Sequence, residues 1–444
     1  MKLIKSILIL TFSLGLTMTS HSENIFPYEI KQYSLNNGLN LVVIPYNSPG
    51  VVAYYTIVRT GSRNEVEPGK TGFAHFFEHM MFRGTEKYSD VEYNRVLKLL
   101  GADSNAFTSL DLTAYHIVAS ADALETIIDI ESDRFQNLKY SKEQFQTEAG
   151  AILGEYNKSA MNPFQILNEE MSKLAFNSHT YRHTTIGYLE DIKEMPNQYE
   201  YSLQFFDRYY RPEYCTVVIV GDVNFDKAKS LVDKYYGNWK RGSFIPNIPK
   251  EPEQKAERTL DAKAPHKTLP YLYVGYKVPE FNDLSKDIAA LNVISRLLFA
   301  ETSELYQKLV LDEKLVDFVS GSAPLNRDPS LFRIYGRIKK EGDIDKVKNS
   351  IYNAIDELKS NPVSPKKLND VISNLKYSFI HGLDNPDDVA STVSYYVNLT
   401  NDPISLNRFY STISNITPDD IQAAAKKYFG SESRNVVLLT SGGN

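Results

Sequence analysis

The sequence predicts an α+β protein made of two homologous halves, each an α/β sandwich, that arose by internal duplication. Three observations support this prediction. Segments with helical and with strand periodicity alternate along most of the chain. The order helix and then valine-rich strand occurs at residues 197–220 and again at 417–440. Between them, residues 244–267 contain four prolines and no periodicity, as linkers do.

These observations divide the chain into four predicted parts. They are a signal peptide (1–22), a first half with a metal site (23–243), a linker (244–267) and a homologous second half without a metal site (268–444). The 444 residues, 42% hydrophobic and 23% charged, are typical of a globular protein of several domains. The net charge of −6 carries no concentrated basic face, which argues against nucleic-acid binding.

The first 22 residues have the layout of a secretory signal peptide. Lys2 and Lys5 form a basic start, residues 4–16 are apolar, and Ser20-His21-Ser22 is a small-x-small ending. A membrane anchor is the alternative, but this apolar run is shorter than the ~20 residues of a membrane span. We therefore expect an exported protein, with the periplasm as its destination, and no membrane span after the signal is removed.

The elements of the first half follow from periodicity and from signals at their ends. Asn36-Asn37-Gly38 is a hairpin turn signal, and Ser141 with Gln144 forms a capping box at the start of a helix. The predicted strands are 31–34, 39–44, 51–59, one long half-buried strand at 104–120, and 215–220. The predicted helices are 72–83, 89–100, 121–137, a helix from 141 onward, 197–210 and 225–239.

The second half repeats this alternation of strands and helices. Its predicted strands are 269–277, 317–323, 330–339 and 435–440, and its predicted helices are 286–299, 303–312, 343–359, 364–383, 386–399 and 417–429. The single cysteine, Cys215, lies in an apolar strand of the first half, where it is expected to be a buried hydrophobic residue.

The strongest chemical signal is His75-Phe76-Phe77-Glu78-His79, in a chain with eight histidines. On a helix, His75 and His79 share a face and can bind one metal, with Glu78 beside them. Catalytic zinc uses three protein ligands and leaves a fourth position for water, whose proton a carboxylate can accept. This order of residues is the inverted form of the common metalloprotease motif. The alternative is a chance pair of surface histidines, but the apolar neighbours in 72–85 favour a buried face that needs a partner such as a metal.

A third ligand is expected on the helix that begins at Ser141. Glu148 and Glu155 are seven residues apart there and lie on about the same face. One carboxylate can bind zinc while the other hydrogen-bonds a ligand from behind. Two glutamates at this spacing often form a solvated face instead, but the residues from 145 to 156 are unusually apolar for that interpretation.

Further motifs extend over nearly the whole chain. They are Gly61-Ser-Arg-Asn-Glu65, Asn105-Ala-Phe-Thr-Ser109, Asp111 with Thr113 and Tyr115, Tyr209-Tyr-Arg-Pro212, and Gly221-Asp222. With these motifs the chain resembles the pitrilysin/insulinase family of zinc peptidases, in the half-length branch that includes mitochondrial processing peptidase and bacterial relatives.

The resemblance implies a zinc metalloendopeptidase that cleaves peptides or small unfolded proteins. It implies one Zn²⁺ per chain, bound by His75, His79 and Glu155, with Glu78 as the general base and Glu148 as a supporting acidic residue. It also implies that Asn105-Ala106-Phe107 belongs to an edge strand that pairs with the backbone of the substrate.

The chain departs from the family pattern in its second half. Members that are complete in one chain carry an Arg and a Tyr there, which hold the substrate and the developing oxyanion. Alignment through Leu309 and Leu315 puts Val310 and Asp317 at those positions, and neither supplies the missing donors. An ionised Asp317 is also expected to repel the negative charge of the transition state.

We therefore expect the catalytic subunit of a heterodimer, in which a homologous subunit supplies the Arg and the Tyr. A homodimer is the less favoured arrangement. One alternative is a non-catalytic scaffold subunit of the same family, against which the intact metal set argues. The other is a metal-binding protein without hydrolase activity, in which Glu78 would have no role.

Overall fold

Two mixed β-sheets organise residues 24–442, which are the residues that the computed structural model of the chain describes. The predicted signal peptide, residues 1–22, lies outside the described residues. The first sheet has six strands and the second has five. In chain order the strands are β1 (Lys31–Ser34), β2 (Asn40–Pro45), β3 (Val51–Val58), β4 (Asp103–Thr108), β5 (Thr113–Ser120), β6 (Cys215–Gly221), β7 (Arg258–Ala264), β8 (Tyr271–Val278), β9 (Val316–Ser322), β10 (Ser330–Ile338) and β11 (Arg434–Ser441).

The two sheets share one strand order. The first runs β1-β2-β6-β3-β5-β4, and the second runs β7-β11-β8-β10-β9. In each sheet a single parallel pair, β2 with β6 or β7 with β11, stands beside antiparallel neighbours. β1 is an addition at one edge of the first sheet. The predicted α+β fold with two similar halves is confirmed.

Fifteen helices surround the sheets in the described part of the chain. They are α1 (Phe73–Met80), α2 (Asp90–Leu99), α3 (Leu124–Asn137), α4 (Lys142–Ser159), α5 (Pro163–Ala175), α6 (Leu189–Glu194), α7 (Tyr199–Tyr209), α8 (Phe225–Tyr236), α9 (Lys286–Phe299), α10 (Glu304–Tyr306), α11 (Ile344–Ser360), α12 (Pro365–His381), α13 (Pro386–Thr400), α14 (Ser405–Ser414) and α15 (Pro418–Tyr428). α10 continues directly into a π-helical turn, Gln307–Asp312. None of the helices in this range combines the length and the apolar character that crossing a bilayer demands.

The prediction of one long strand at 104–120 is wrong, because the segment folds back as the hairpin of β4 and β5. Ser109 makes the turn. Its hydroxyl accepts the N–H groups of Asp111 and Leu112, at 3.3 and 3.2 Å, and its own N–H donates to the carbonyl of Leu112. Polar and apolar residues alternate on both sides of this turn, so periodicity did not reveal it.

The end of the predicted linker is also corrected. Residues 258–264 form β7, which pairs in parallel with β11 from Arg258↔Asn435 to Ala264↔Ser441. β7 is an edge strand whose residues alternate between partly buried and exposed. Its four polar side chains made it look like a loop, but an edge strand needs an apolar residue only at every second position.

Each half supplies a helix to the sheet of the other half. α13, from the second half, packs on β3 and β6 of the first sheet. α5, from the first half, packs on β7, β8 and β11 of the second sheet, where Met171 and Ala175 join Tyr273 and Val437 in one apolar cluster. The opposite face of the second sheet is covered by α9 and other helices of its own half. The two halves therefore share their cores.

A polar contact joins the halves as well. Asp328, in the loop between β9 and β10, accepts hydrogen bonds from Arg63, whose Nε lies 2.5 Å from Oδ2. Nε2 of His179 lies 2.9 Å from the same oxygen. The backbone N–H of Arg327 donates to Asp111 at 2.9 Å. These charged and polar contacts attach the β9–β10 loop of the second half to the first half, next to the turn that follows β4.

Candidate metal centre

Helix α1 is fixed at its N-terminus by a buried carboxylate. Glu65 accepts the backbone N–H of Gly72 at 2.8 Å and that of Ala74 at 2.7 Å. These donors are otherwise left without partners at a helix start. Burial raises the pKa of Glu65 to about 8, although these hydrogen bonds oppose the rise. Gly72 has φ +91°, and a Cβ there would lie 2.7 Å from the carbonyl oxygen of Ile186. The contacts with Glu65 and Ile186 therefore fix the position of the N-terminus of α1.

The two faces of α1 differ in what they contact. Phe73, Phe76, Phe77 and Met80 are fully buried in the core of the first half. The histidines and Glu78 occupy the remaining face and are partly exposed. The helical prediction is confirmed, but α1 ends at Met80 rather than at residue 83.

The structure brings His75, His79 and Glu155 together. One ligand atom from each lies within 4.8 Å of the others. Nε2 of His75 is 3.5 Å from one carboxylate oxygen of Glu155, and Nε2 of His79 is 3.6 Å from the other. Atoms bound to a tetrahedral zinc ion at 2.0–2.2 Å lie about 3.4 Å apart, so these separations fit such an ion. Within residues 24–442 this is the one group of its kind.

Glu148 holds His79 from behind. Its Oε1 is 2.8 Å from Nδ1 of His79, and its Oε2 accepts Nε of Arg83 at 2.7 Å. Burial of Glu148 would raise its pKa, but the hydrogen bonds from His79 and Arg83 bring that pKa below its usual value. Because an ionised carboxylate only accepts, the proton of the imidazole lies on Nδ1, and Nε2 is free to bind a metal.

The two histidines differ in their tendency to bind a proton. Burial, with a smaller effect from His79, lowers the pKa of His75 to about 4. The hydrogen bond to Glu148 raises the pKa of His79. His75 is therefore neutral near pH 7, which is the form that binds metals.

Glu78 faces the edge of the first sheet. Its Oε2 accepts the hydroxyl of Thr108, the last residue of β4, at 2.7 Å. Burial raises the pKa of Glu78. Among the strands of residues 24–442, β4 pairs only with β5 and so forms the free edge of this sheet. The carboxylate of Glu78 therefore lies beside the sheet edge to which a further strand could be added.

Asn105, Ala106 and Phe107 lie in the middle of β4. Asn105 and Ala106 line an open pocket beside Glu78 and His79, and Phe107 is 42% exposed. The backbone N–H of Ala106 donates to the side-chain oxygen of its neighbour Asn105 at 2.9 Å, not to β5. This donor is therefore held at the free edge of the strand by a bond that an incoming peptide could replace.

Val310 and Asp317 lie apart from this constellation. Val310 is in the π-helical turn and packs against the core of the second half. Asp317 lies on β9, and its Oδ2 accepts Nε of Arg337 at 2.7 Å. Asp317 is therefore paired with a cation of the neighbouring strand, and its repulsion of the transition-state charge stays a prediction.

Three contacts of the centre were not anticipated from the sequence. They are made by Glu65, Arg83 and Thr108. Arg83 follows His79 by four residues, just past the end of α1, and this spacing was a usable signal. Glu65 and Thr108 come from other parts of the chain, and no local pattern connects them with α1.

Two family models match the chain. The model described as "Insulinase (Peptidase family M16)" matches residues 41–188, and "Peptidase M16 inactive domain" matches residues 198–375. The chain belongs to the insulinase family of peptidases, family M16. The predicted family is thereby confirmed, and all the residues of the candidate metal centre lie within the first match.

Full-length M16 relatives carry names that agree with this assignment. The zinc protease PqqE of Helicobacter pylori is 28% identical, over 97% of this chain and 96% of that protein. The uncharacterized zinc protease YmxG of Bacillus subtilis is 24% identical, over 94% of this chain and 99% of that protein. The crystal structure of a protease from Helicobacter pylori superimposes with a TM-score of 0.87 at 28% identity, covering 93% of this chain and 100% of that one.

Proposed function

We propose that this chain is a zinc-dependent endopeptidase that cleaves peptides or small unfolded proteins. The observation that carries the proposal is the meeting of His75, His79 and Glu155 within 4.8 Å, on the face of α1 that also presents Glu78. The names of the M16 relatives support it.

Nε2 of His75, Nε2 of His79 and a carboxylate oxygen of Glu155 would hold one zinc ion per chain. When bound, zinc acts as a Lewis acid that acidifies water and polarises a peptide carbonyl. Glu148, itself held by Arg83, fixes the orientation of the His79 ring and places the proton of the neutral ring on Nδ1, so that Nε2 can face the metal.

Glu78 is the proposed general base. The hydroxyl of Thr108 donates to Oε2 and so orients the carboxylate beside the proposed metal position. Because burial raises its pKa toward neutrality, Glu78 both accepts that proton and passes it to the leaving amine of the substrate.

Substrate is proposed to bind as an added strand on β4. Backbone hydrogen bonds at a free sheet edge bind extended peptides with little regard to sequence. Asn105, Ala106 and Phe107 are the residues of this edge nearest the middle of the strand, and Ala106 offers an outward N–H. This mode selects for chains that are unfolded.

A homologous second subunit is proposed to complete the enzyme. Val310 and Asp317 occupy the positions where complete family members carry an Arg and a Tyr, and Asp317 already binds Arg337. Donors for the oxyanion would then come from a partner chain. The basic and apolar pattern of residues 1–22 supports export of the catalytic subunit to the periplasm.

One comparison tests the catalytic assignment. Zinc content and hydrolysis of an unstructured peptide are measured for the wild-type chain and for Glu78→Gln, each with and without a chelator. We expect about one zinc per chain in both proteins, hydrolysis that the chelator abolishes, and a loss of several orders of magnitude in Glu78→Gln. A wild-type chain that holds zinc but cleaves nothing, alone or with a homologous partner, would support the scaffold alternative.

A further inference from the structure

A second pocket lies between α5 and the second sheet, where the two halves meet. Its volume is about 240 Å³, and it is open on one side. Gln165 and Asn168 of α5 line it together with Thr184, Ser330 and Arg333. The lining is rich in amide and hydroxyl groups, and Arg333 is its one charged side chain.

One charged group in this pocket has a nitrogen with no hydrogen-bond partner among residues 24–442. Nε of Arg333 is buried and unpaired, and the guanidinium forms no ion pair with a carboxylate in this range. Burying a donor of a cation without a partner is unfavourable. An anion in the pocket would satisfy it.

The neighbours of Arg333 cannot take that role. Tyr181 and Tyr273 also line the pocket, and their phenols stay protonated because burial raises both pKa values. The hydroxyl of Tyr181 is already engaged with Asp111 at 2.6 Å. The positive charge of Arg333 is therefore left for a ligand.

The pocket adjoins the proposed substrate strand. Leu110, which forms part of its wall, follows Thr108 at the end of β4 by two residues. Thr184 and Thr185, on another wall, immediately precede Ile186, whose carbonyl touches Gly72 at the start of α1. A peptide extended along β4 and continued past Thr108 therefore reaches this pocket within a few residues, at about 3.3 Å per residue.

We propose that this pocket binds a carboxylate of the peptide substrate, with the guanidinium of Arg333 as the donor. The proposal rests on the proposed peptidase function and names a feature of its substrates. The planar fork of an arginine matches a carboxylate with two parallel hydrogen bonds. The carboxylate belongs either to the C-terminus of the peptide or to an Asp or Glu side chain within it.

The test measures peptide binding to the zinc-loaded Glu78→Gln chain, in which turnover does not interfere. A labelled, unstructured peptide is used in versions that end in a free carboxylate or an amide, and that carry an internal glutamate or glutamine. We expect one of these neutralisations to weaken binding by about 10- to 100-fold in Kd. Loss on amidation identifies the C-terminus, and loss on changing glutamate to glutamine identifies a side chain.

Variants then locate the effect. In Arg333→Gln the same neutralisation should no longer change Kd, and Arg333→Lys should restore part of the difference because the charge returns without the fork. The control is Arg296→Gln, an exposed arginine on α9, which covers the opposite face of the second sheet. The comparison between peptides uses the chain with Arg333 intact, so a folding defect in a variant cannot hide the result.

The outcomes separate this inference from the proposed function. If peptides bind and the wild-type chain cleaves them with no dependence on either carboxylate, the pocket assignment is wrong and the peptidase stands. If binding depends on the carboxylate and on Arg333 but no condition gives hydrolysis, the pocket stands and the catalytic assignment falls. If no peptide binds, both are overturned.

Discussion

Nε of Arg337 donates a hydrogen bond to Oδ2 of Asp317 across the neighbouring strands β10 and β9, at 2.7 Å. The family resemblance puts Asp317 at the position where complete members carry a Tyr. The hydrogen bond from Arg337 would weaken the effect of Asp317 on an oxyanion, and the repulsion that the sequence suggested stays a prediction. Neither Asp317 nor Val310 offers the side-chain donor that the family resemblance assigns to its position.

We therefore predict that the isolated chain is a weak peptidase. A homologous subunit that carries the Arg and the Tyr should raise the rate by about 100- to 1000-fold, which is the typical effect of oxyanion donors. The measurement is the initial rate of peptide hydrolysis as this subunit is titrated in, with saturation expected at one partner per chain.

The control for this titration is the same partner with its Arg and Tyr replaced, which should still bind but not activate. Full activity of the chain alone would contradict the two-chain hypothesis. In that case, loss of activity in Arg337→Gln would show that Arg337 leaves Asp317 to serve as the donor.

A second prediction concerns the residue behind the metal ligand. Glu148→Gln removes the charge that holds Nδ1 of His79, and we expect zinc affinity to fall by about 10- to 100-fold. Competition with a chelator of known affinity measures the change. Glu143→Gln, at an exposed position of the same helix, is the matched control and should keep wild-type affinity. Equal affinity in the two variants would remove Glu148 from its supporting role.

A third prediction concerns the state of the substrate. Addition to β4 requires an extended chain, so a segment cleaved as a free peptide should resist cleavage within a stable domain by on the order of a thousandfold or more. The rates of the two substrates are compared under the same conditions. A destabilising mutation in that domain should restore cleavage. Equal rates for the stable domain and the peptide would exclude binding by strand addition.

A fourth prediction concerns the polar contact between the halves. Hydrogen bonds from His179 and Arg63 outweigh burial and hold the pKa of Asp328 well below its usual range. A carboxylate with a lowered pKa stabilises the fold above its ordinary pKa, near 4, and this stabilisation is lost as the pH falls further. Asp328→Asn should therefore lower the free energy of unfolding by about 1–3 kcal/mol at pH 7.

The difference between this variant and the wild type should shrink below about pH 4, because the wild-type carboxyl then takes up a proton in the unfolded state while its lowered pKa keeps it ionised in the folded state. Urea unfolding at a series of pH values measures it. Asp370→Asn is the control, since Asp370 forms an exposed pair with Lys366 that contributes little. A difference that stays constant down to pH 2 would show that Asp328 acts by packing rather than by charge.

The sequence was sufficient for the features that are encoded locally. The spacing of His75, Glu78 and His79 predicted their common face, and the capping box at Ser141 predicted the helix that brings Glu155. The hairpin turn after β4 was missed because its signal is a single serine whose hydroxyl binds two backbone groups. α5 was missed although Asn162 caps it and Pro163 is its first residue, as in many helices.

Long-range contacts could not be predicted in this way. Glu65 binds α1 and Asp328 binds Arg63, and neither pairing leaves a periodic trace in the sequence. The packing of α5 on the second sheet and of α13 on the first sheet is also a long-range contact that the sequence did not reveal. Their apolar faces predict that each helix is buried, but not against which sheet.

This exchange means that the segment connecting the halves is not what holds them together. A chain cut between β6 and β7, outside the strands, would consist of two fragments that each keep a helix embedded in the other. Either fragment made alone would leave one apolar sheet face without its cover and would be prone to aggregate. Made together, the two fragments should assemble into a non-covalent heterodimer.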